Sequence, residues 1–135
     1  MKTFTLLTLL LLSFGSLAQK GKVQFTSEFK NITQGYDHTC KEKIFINGEL
    51  IFTSKEHPES EILKAKVKLP RGTHNVRIEN WTRYKGNWEL TAIDDDYSID
   101  GFYEDELTIG KKNELHIVYD LDDQSSPHVT CNKIK

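Results

Sequence analysis

The chain has 135 residues and a formal net charge of −2, and 37% of its residues are hydrophobic. This length suits one domain with a single core, and the near-neutral balance gives no indication of a nucleic-acid-binding protein, which is usually strongly basic. The charge is uneven, because residues 94–123 hold eleven acidic side chains against only Lys111 and Lys112. Such a segment is typical of a solvated rim, or of a surface that attracts cations or a basic partner.

Residues 1–18 have the pattern of a secretory signal peptide. Lys2 supplies a short positive region, residues 4–12 are mostly apolar, and residues 16–18 are mainly small. The apolar run is too short for a membrane span, and no later stretch approaches the roughly 20 apolar residues that a span needs. The sequence therefore predicts cleavage before Gln19, a single domain over residues 19–135, and a periplasmic, cell-surface or secreted protein.

Strand patterns begin soon after this leader. Residues 23–29 form a β-rich run, and residues 43–46 and 49–52 flank Asn47-Gly48. An Asn-Gly pair tolerates the two positive φ angles of a type I′ turn, so this segment predicts a β-hairpin. Both arms carry apolar residues at successive positions, and we expect the hairpin to be covered on both faces.

Apolar and polar residues then alternate through most of the chain, as in half-buried strands. The alternating or strand-like segments are residues 63–69, 76–78, 88–92, 97–103, 107–109 and 115–121. Only residues 54–62 read as a longer loop. Seven or eight short strands separated by turns predict an all-β fold, an antiparallel β-sandwich.

The middle and end of the chain resemble the PEGA family of small extracytoplasmic β-sandwich modules. Residues 44–48 are similar to the V-x-V-D-G hairpin of that family, and residues 69–74 are similar to its L-P-x-G-x-H turn. Residues 76–78 and 110–118 match the strands that follow, and residues 81–109 form a larger acidic insertion than the family usually carries. The resemblance implies a non-catalytic module of the cell envelope or surface, with no particular ligand.

Cys40 and Cys131 are the two cysteines of the chain. In an oxidising compartment they favour one intramolecular disulfide, which would stabilise the fold by roughly 4–5 kcal/mol in the chain-entropy account. One alternative is a zinc site built with the neighbouring His38 and His128, although the spacings differ from those of common zinc motifs, and the other is two separate free thiols.

The acidic segment contains a candidate calcium site. Asp96, Ser98, Asp100 and Gly101 follow the opening of a calcium loop, in which alternate oxygens turn inward. Position 12 of such a loop would be Leu107 instead of glutamate, so an EF-hand is not expected. A looser Ca²⁺ site would use Asp94, Asp96, Ser98, Asp100, Asp120 and Asp122. The alternative is an acidic turn whose side chains face water.

Two other groups could bind a ligand. Trp81 and Tyr84 could stack on the sugar rings of a glycan, whereas packing of the aromatic side chains across strands explains them without a ligand. Residues 64, 66 and 68 are lysines on one strand face, to which Arg77 could add. They could bind an anionic glycan, or they could protect an edge strand from aggregation.

No catalytic motif is apparent in the sequence. The five histidines form no HExxH pattern, and no nucleophile elbow or phosphate-binding glycine loop occurs. We therefore expect a non-enzymatic, exported β-sandwich that binds a protein of the envelope or surface. The alternatives are a Ca²⁺-dependent carbohydrate-binding module, with Ca²⁺ as the one cofactor considered, and a small hydrolase or inhibitor.

Overall fold

The computed structural model describes residues 19–134, so the predicted signal peptide lies outside the described residues. Ten strands form nearly all of the regular structure in this range, which confirms the predicted all-β class. They are β1 (Lys20–Lys30), β2 (Thr39–Ile46), β3 (Glu49–Thr53), β4 (His57–Pro58), β5 (Leu63–Pro70), β6 (Gly72–Tyr84), β7 (Asn87–Leu90), β8 (Phe102–Ile109), β9 (Lys112–Asp120) and β10 (His128–Lys133).

The strands form two sheets that pack as a sandwich. Sheet A has the order β10-β9-β1-β5, and sheet B has the order β3-β2-β6-β7, with β4 beside β2 and β8 beside β6. Strand β6 is long enough to pair with β8 along its first part and with β7 along its last part. No helix among residues 19–134 is long and apolar enough to cross a membrane.

One strand pair departs from the predicted antiparallel arrangement. Strand β1 lies in the middle of sheet A, antiparallel to β5 but parallel to β9, with Lys22 opposite Lys112 and Lys30 opposite Asp120. Parallel neighbours need a long crossover connection. Here all the strands of sheet B and β5 lie between β1 and β9 in the sequence.

The predicted Asn-Gly hairpin is confirmed. Asn47 and Gly48 adopt φ values of 50° and 83°, and they join β2 to β3. The expected coverage of both faces is wrong, because β3 is the edge strand of sheet B and Leu50 is 48% exposed.

The core lies between the inner faces of the two sheets. Residues at alternate positions of β1 and β9, such as Phe25 and Ile117, meet Ile44 of β2 and Ile78 of β6. Burying each such side chain stabilises the fold by about 1.5–3 kcal/mol. Some inward positions are polar instead, among them Ser27 of β1 and Glu42 of β2, which belong to a network described below.

The connection between β7 and β8 is an irregular excursion. It contains a 3₁₀ turn, Ile93–Asp95, where the sequence had predicted that strand structure would begin by residue 97. Thr91 and Gly101 close its base, since Thr91 donates its backbone N–H to Asn80 O and Gly101 donates its own to Thr91 O. A Cβ on Gly101 would lie 2.6 Å from Thr91 Cβ, so glycine is required for this closure.

Candidate functional site

The acidic residues of the predicted calcium loop make local contacts. Asp94 lies in the 3₁₀ turn, and Asp96 follows it with a left-handed φ of 68°. Asp100 Oδ1 accepts the backbone N–H of Ile93 at 3.0 Å, and Ser98 is exposed. The alternate oxygens therefore do not turn toward one point.

Asp120 and Asp122 do not complete the set. Asp120 Oδ1 accepts the Asn31 side-chain amide at 2.7 Å and the backbone N–H of Asp122 at 3.0 Å. Among residues 19–134, no three of these carboxylates bring oxygens within 4.8 Å of one another. The calcium site predicted from Asp94 to Asp122 is corrected to an acidic turn and a separate strand end, because a bound cation needs several converging oxygens.

Trp81 and Tyr84 do not form one platform for a glycan. They are three positions apart on β6, so the alternation of the strand places them on opposite faces. Lys43 Nζ lies 4.2 Å from the centroid of the Trp81 ring, whose Nε1–H donates to Glu79 Oε1. The two rings are therefore not placed side by side, since Lys43 covers a face of the Trp81 ring and Tyr84 lies on the other face of the strand, and glycan binding by Trp81 or Tyr84 stays a prediction.

The predicted disulfide is absent, because Cys40 and Cys131 are both free thiols. Cys40 lies on β2 in sheet B, opposite Thr82, whereas Cys131 lies on β10 at an edge of sheet A, opposite Leu115. The alternative zinc site is not formed either. His38 directly precedes β2 and Cys40 lies on β2 in sheet B, whereas His128 and Cys131 lie on β10 in sheet A.

A buried hydrogen-bond network lies between the sheets around Glu42. The Glu42 side chain is fully buried, and its Oε1 accepts hydrogen bonds from Ser27 Oγ at 2.9 Å and Asn80 Nδ2 at 2.8 Å. Its Oε2 accepts one from Tyr119 OH at 3.1 Å. Burial raises the pKa of Glu42 from 4.5 to about 7, although these three hydrogen bonds oppose the rise.

Cys40, Glu42 and His57 bring one ligand atom each within 4.8 Å, which is close enough for a metal ion. Their contacts are nevertheless those of a satisfied polar core. Cys40 Sγ lies 3.8 Å and 3.6 Å from the two ring nitrogens of His57, so it sits beside the ring instead of facing one nitrogen. His57 Nδ1 is 2.9 Å from Pro58 O, and Glu42 already has three donors.

A group of lysines lies on the outer side of sheet A. Lys22 on β1 stands directly between Lys68 on β5 and Lys112 on β9, and Lys66 follows on β5. All four are exposed, and they line a surface depression of about 510 Å³. We call these four residues the lysine face.

No acidic side chain in residues 19–134 forms an ion pair with the lysine face. Lys66 and Lys68 had been identified from the alternation of β5 in the sequence. Lys22 and Lys112 lie beside them only because β1 pairs with both β5 and β9. Arg77 does not extend this surface, because it lies on sheet B and pairs with Glu79 at 2.8 Å and Glu104 at 3.1 Å.

A second depression lies where several loops meet at the Phe29 end of β1. This loop-end pocket has a volume of about 260 Å³. Its lining residues are Phe29, Thr33, Tyr36, His38, Glu59, Thr91, Asp96, Tyr97, Ser98, Ile99 and Leu121. Glu59 had not been considered from the sequence, because residues 54–62 carry no motif, and His38 had been considered only as a zinc ligand.

Glu59 is the unusual member of this pocket. It is only 4% exposed, and no side-chain hydrogen bond reaches its carboxyl group within the described part of the chain. His38 Nδ1 lies 3.7 Å from Glu59 Oε1, beyond hydrogen-bond distance. Burial raises the pKa of Glu59 to about 7; a backbone N–H of His38 opposes the rise, and the carboxylates of Asp37 and Glu42 add to it.

Comparisons with known proteins give no family. No protein-family model matches the chain, and no curated protein matches it in sequence. Among solved structures, it is similar to suilysin, a cytotoxin from Streptococcus suis, with a TM-score of 0.40 and 10% identity. It is also similar to a non-hemolytic pneumolysin from Streptococcus pneumoniae strain ST306, with a TM-score of 0.38 and 12% identity.

Each match covers 87% of this chain but only 24% of the toxin. The chain thus spans about a quarter of the length of these structures. Likenesses of this strength assign neither a fold family nor an activity to it.

Proposed function

We propose that the protein is a non-enzymatic, exported β-sandwich module that binds an acidic protein of the cell envelope or surface through the lysine face. Export is inferred from residues 1–18 of the sequence. The resemblance of residues 44–48, 69–78 and 110–118 to the PEGA family agrees with a binding module of this kind. The row Lys68, Lys22 and Lys112 is the observation that carries the proposal.

Three lysines side by side weaken the isolated domain, since like charges directly opposite one another on adjacent strands are destabilising. Protection of an exposed sheet edge explains lysines on β5, which is an edge strand of sheet A. It does not explain Lys22 on a central strand or Lys112 on β9. An acidic partner supplies the missing counter-charge and makes this arrangement favourable in the complex.

The chemistry of the surface favours a protein over a glycan. The outward positions of β1, β5 and β9 near the depression carry lysine, glutamine and glutamate, and none carries a Phe, Tyr or Trp on which a sugar ring could stack. Lysines act as flexible point charges that suit the scattered carboxylates of an acidic protein segment.

Binding of a fluorescent poly-glutamate peptide tests this proposal. We expect Lys22→Glu and Lys68→Glu each to weaken binding several-fold, and the affinity of the wild type to fall as salt increases. Lys85→Glu is the matched control, because it makes the same charge change at the β6–β7 turn in sheet B. Equal losses for Lys85→Glu and Lys22→Glu would refute the lysine face.

A parallel titration with heparin distinguishes an acidic protein from a sulfated glycan as the partner. Markedly tighter binding of heparin than of poly-glutamate, lost in Lys22→Glu, would assign the surface to a sulfated glycan and overturn the protein partner. Binding that does not respond to salt would contradict both.

A further inference from the structure

We propose that the loop-end pocket is a second binding site, which takes an alkylammonium group such as a lysine side chain of a partner. The pocket contains a buried carboxyl group, Glu59, with no side-chain hydrogen-bond donor among the described residues, and a second acid, Asp96, in its lining. His38 is the only lining residue that can carry a positive charge. This site does not depend on the lysine face.

The shape of the pocket fits one side chain. Its volume of about 260 Å³ is below the roughly 300–1,000 Å³ of sites for drug-sized ligands. The lining includes Tyr36, which is 63% exposed, and the buried side chains of Phe29 and Ile99. These residues suit the methylene stem of the ligand, while Glu59 receives the charged end.

Aromatic rings add a second reason for a cationic ligand. The His38 ring lies 6.3 Å from Tyr36 and 6.3 Å from Tyr97, measured between ring centroids. Tyr97 is held in place because its hydroxyl donates to Glu89 Oε1 at 2.8 Å. The faces of tyrosine rings attract an ammonium group, and carboxylates beside them strengthen that attraction.

A metal ion fits this pocket less well. Metal binding needs several converging ligands, and no three histidine, cysteine or acidic side chains meet here within residues 19–134. An ammonium group has three N–H donors; Glu59 can accept one of these hydrogen bonds, and Thr33, Asp96 and Ser98 offer further acceptor oxygens in the lining. Burial raises the pKa of Glu59 to about 7, and a bound ammonium group would lower that pKa because it favours the ionised carboxylate.

Titration of the ¹⁵N-labelled domain with N-acetyl-lysine methylamide tests the proposal by NMR. We expect shifts of the amide signals of Tyr36, His38, Glu59 and Tyr97 that saturate with ligand concentration. N-acetyl-norleucine methylamide has the same stem without the charge, and methyl glucoside is a neutral hydroxylated probe; neither should produce these shifts. If either binds as well as the lysine derivative, the proposal is wrong.

Variants then identify the residue responsible. Glu59→Gln keeps the size of the side chain and should weaken binding at least about tenfold, since it removes a charge-assisted hydrogen bond. Tyr36→Ala should weaken binding without affecting the fold, because Tyr36 is exposed. Glu61→Gln is the matched control, as this exposed acid pairs with Lys55 outside the pocket. Unchanged binding in both Glu59→Gln and Tyr36→Ala would overturn the assignment.

The two proposed sites can fail separately. The lysine face and the loop-end pocket lie at opposite ends of β1, with Lys22 and Phe29 separated by roughly 23 Å of extended strand. Lys22→Glu should therefore leave the lysine derivative bound, and Glu59→Gln should leave poly-glutamate bound. Loss of both ligands in either variant would contradict two independent sites.

Discussion

Replacing Glu42 gives a sensitive test of the buried network, because the outcome depends on which side chain takes its place. In Glu42→Leu, the donors Ser27 Oγ, Asn80 Nδ2 and Tyr119 OH all lose their acceptor. Each buried donor without a partner costs about 1–3 kcal/mol. We therefore expect a loss of about 3–9 kcal/mol in the free energy of unfolding, a large part of the roughly 5–15 kcal/mol of a typical domain.

Glu42→Gln should behave differently. Its amide oxygen can accept the hydrogen bonds from Ser27 and Asn80, and its NH₂ group can donate to the Tyr119 hydroxyl. The variant thus resembles the protonated form of Glu42. At pH 5 we expect its free energy of unfolding to lie within about 1 kcal/mol of that of the wild type.

The two proteins should diverge as the pH rises. The folded protein binds the Glu42 proton more tightly than the unfolded chain, since the pKa rises from 4.5 to about 7 on folding. This stabilisation is complete below about pH 4.5 and is lost by about pH 7, and at 1.36 kcal/mol per pKa unit it amounts to about 3 kcal/mol. Glu42→Gln has no such proton and should not lose this amount.

Urea unfolding followed by the fluorescence of Trp81 and Trp88 measures these differences at pH 5 and pH 8. The difference between wild type and Glu42→Gln reports the proton of Glu42 together with the effect of its charge on Glu59, which is the last of the causes that raise the pKa of Glu59. Equal pH dependence in the two proteins would refute the assigned role of Glu42. So would a Glu42→Leu variant as stable as Glu42→Gln at pH 5.

Three further predictions concern other parts of the fold. Gly21→Ala should destabilise the domain by about 1–3 kcal/mol in urea unfolding, because the new Cβ would clash with the backbone oxygen of Gly110. Gly110→Ala, whose Cβ meets only a flexible lysine stem, should cost much less, and equal losses would contradict this contact. Lys22→Glu should stabilise the domain at low salt by up to about 1 kcal/mol, read as a higher melting temperature, while it weakens poly-glutamate binding; a lower melting temperature would argue against charge repulsion. A maleimide should label half-buried Cys131 in the native protein and buried Cys40 only after unfolding, as measured by mass spectrometry. If neither cysteine reacts until a reductant is added, the two form a disulfide.

Local chemistry made the strands and turns predictable. The Asn47-Gly48 turn needs only its own two residues to adopt positive φ, and the lysines of β5 alternate with buried residues such as Val67 and Leu69. In both cases, neighbours along the chain determine the result. The two-sheet fold followed from these patterns, whereas the parallel pairing of β1 with β9 did not, because it joins positions far apart.

The sites depended on long-range pairing, and the sequence predicted them poorly. Glu42 does fall at an inward position of β2, but its partners Ser27, Asn80 and Tyr119 are 15, 38 and 77 positions away. Asp96, Ser98 and Asp100 have the spacing of a calcium loop. The backbone instead forms a 3₁₀ turn, and Asp100 binds a nearby N–H, so spacing alone was misleading.

The central position of β1 has a consequence for how the protein folds. Its parallel partner in sheet A arrives late, since Lys22 pairs with Lys112, 90 positions further along the chain. During synthesis β1 therefore emerges long before β9 exists, and until then one of its edges has no strand to pair with. Closing so long a loop makes folding slow, on the millisecond-to-second scale of sandwiches rich in distant contacts. The domain acquires its native sheet A only when nearly all of the described chain is present, so it stays open to chaperones and to aggregation until late in synthesis.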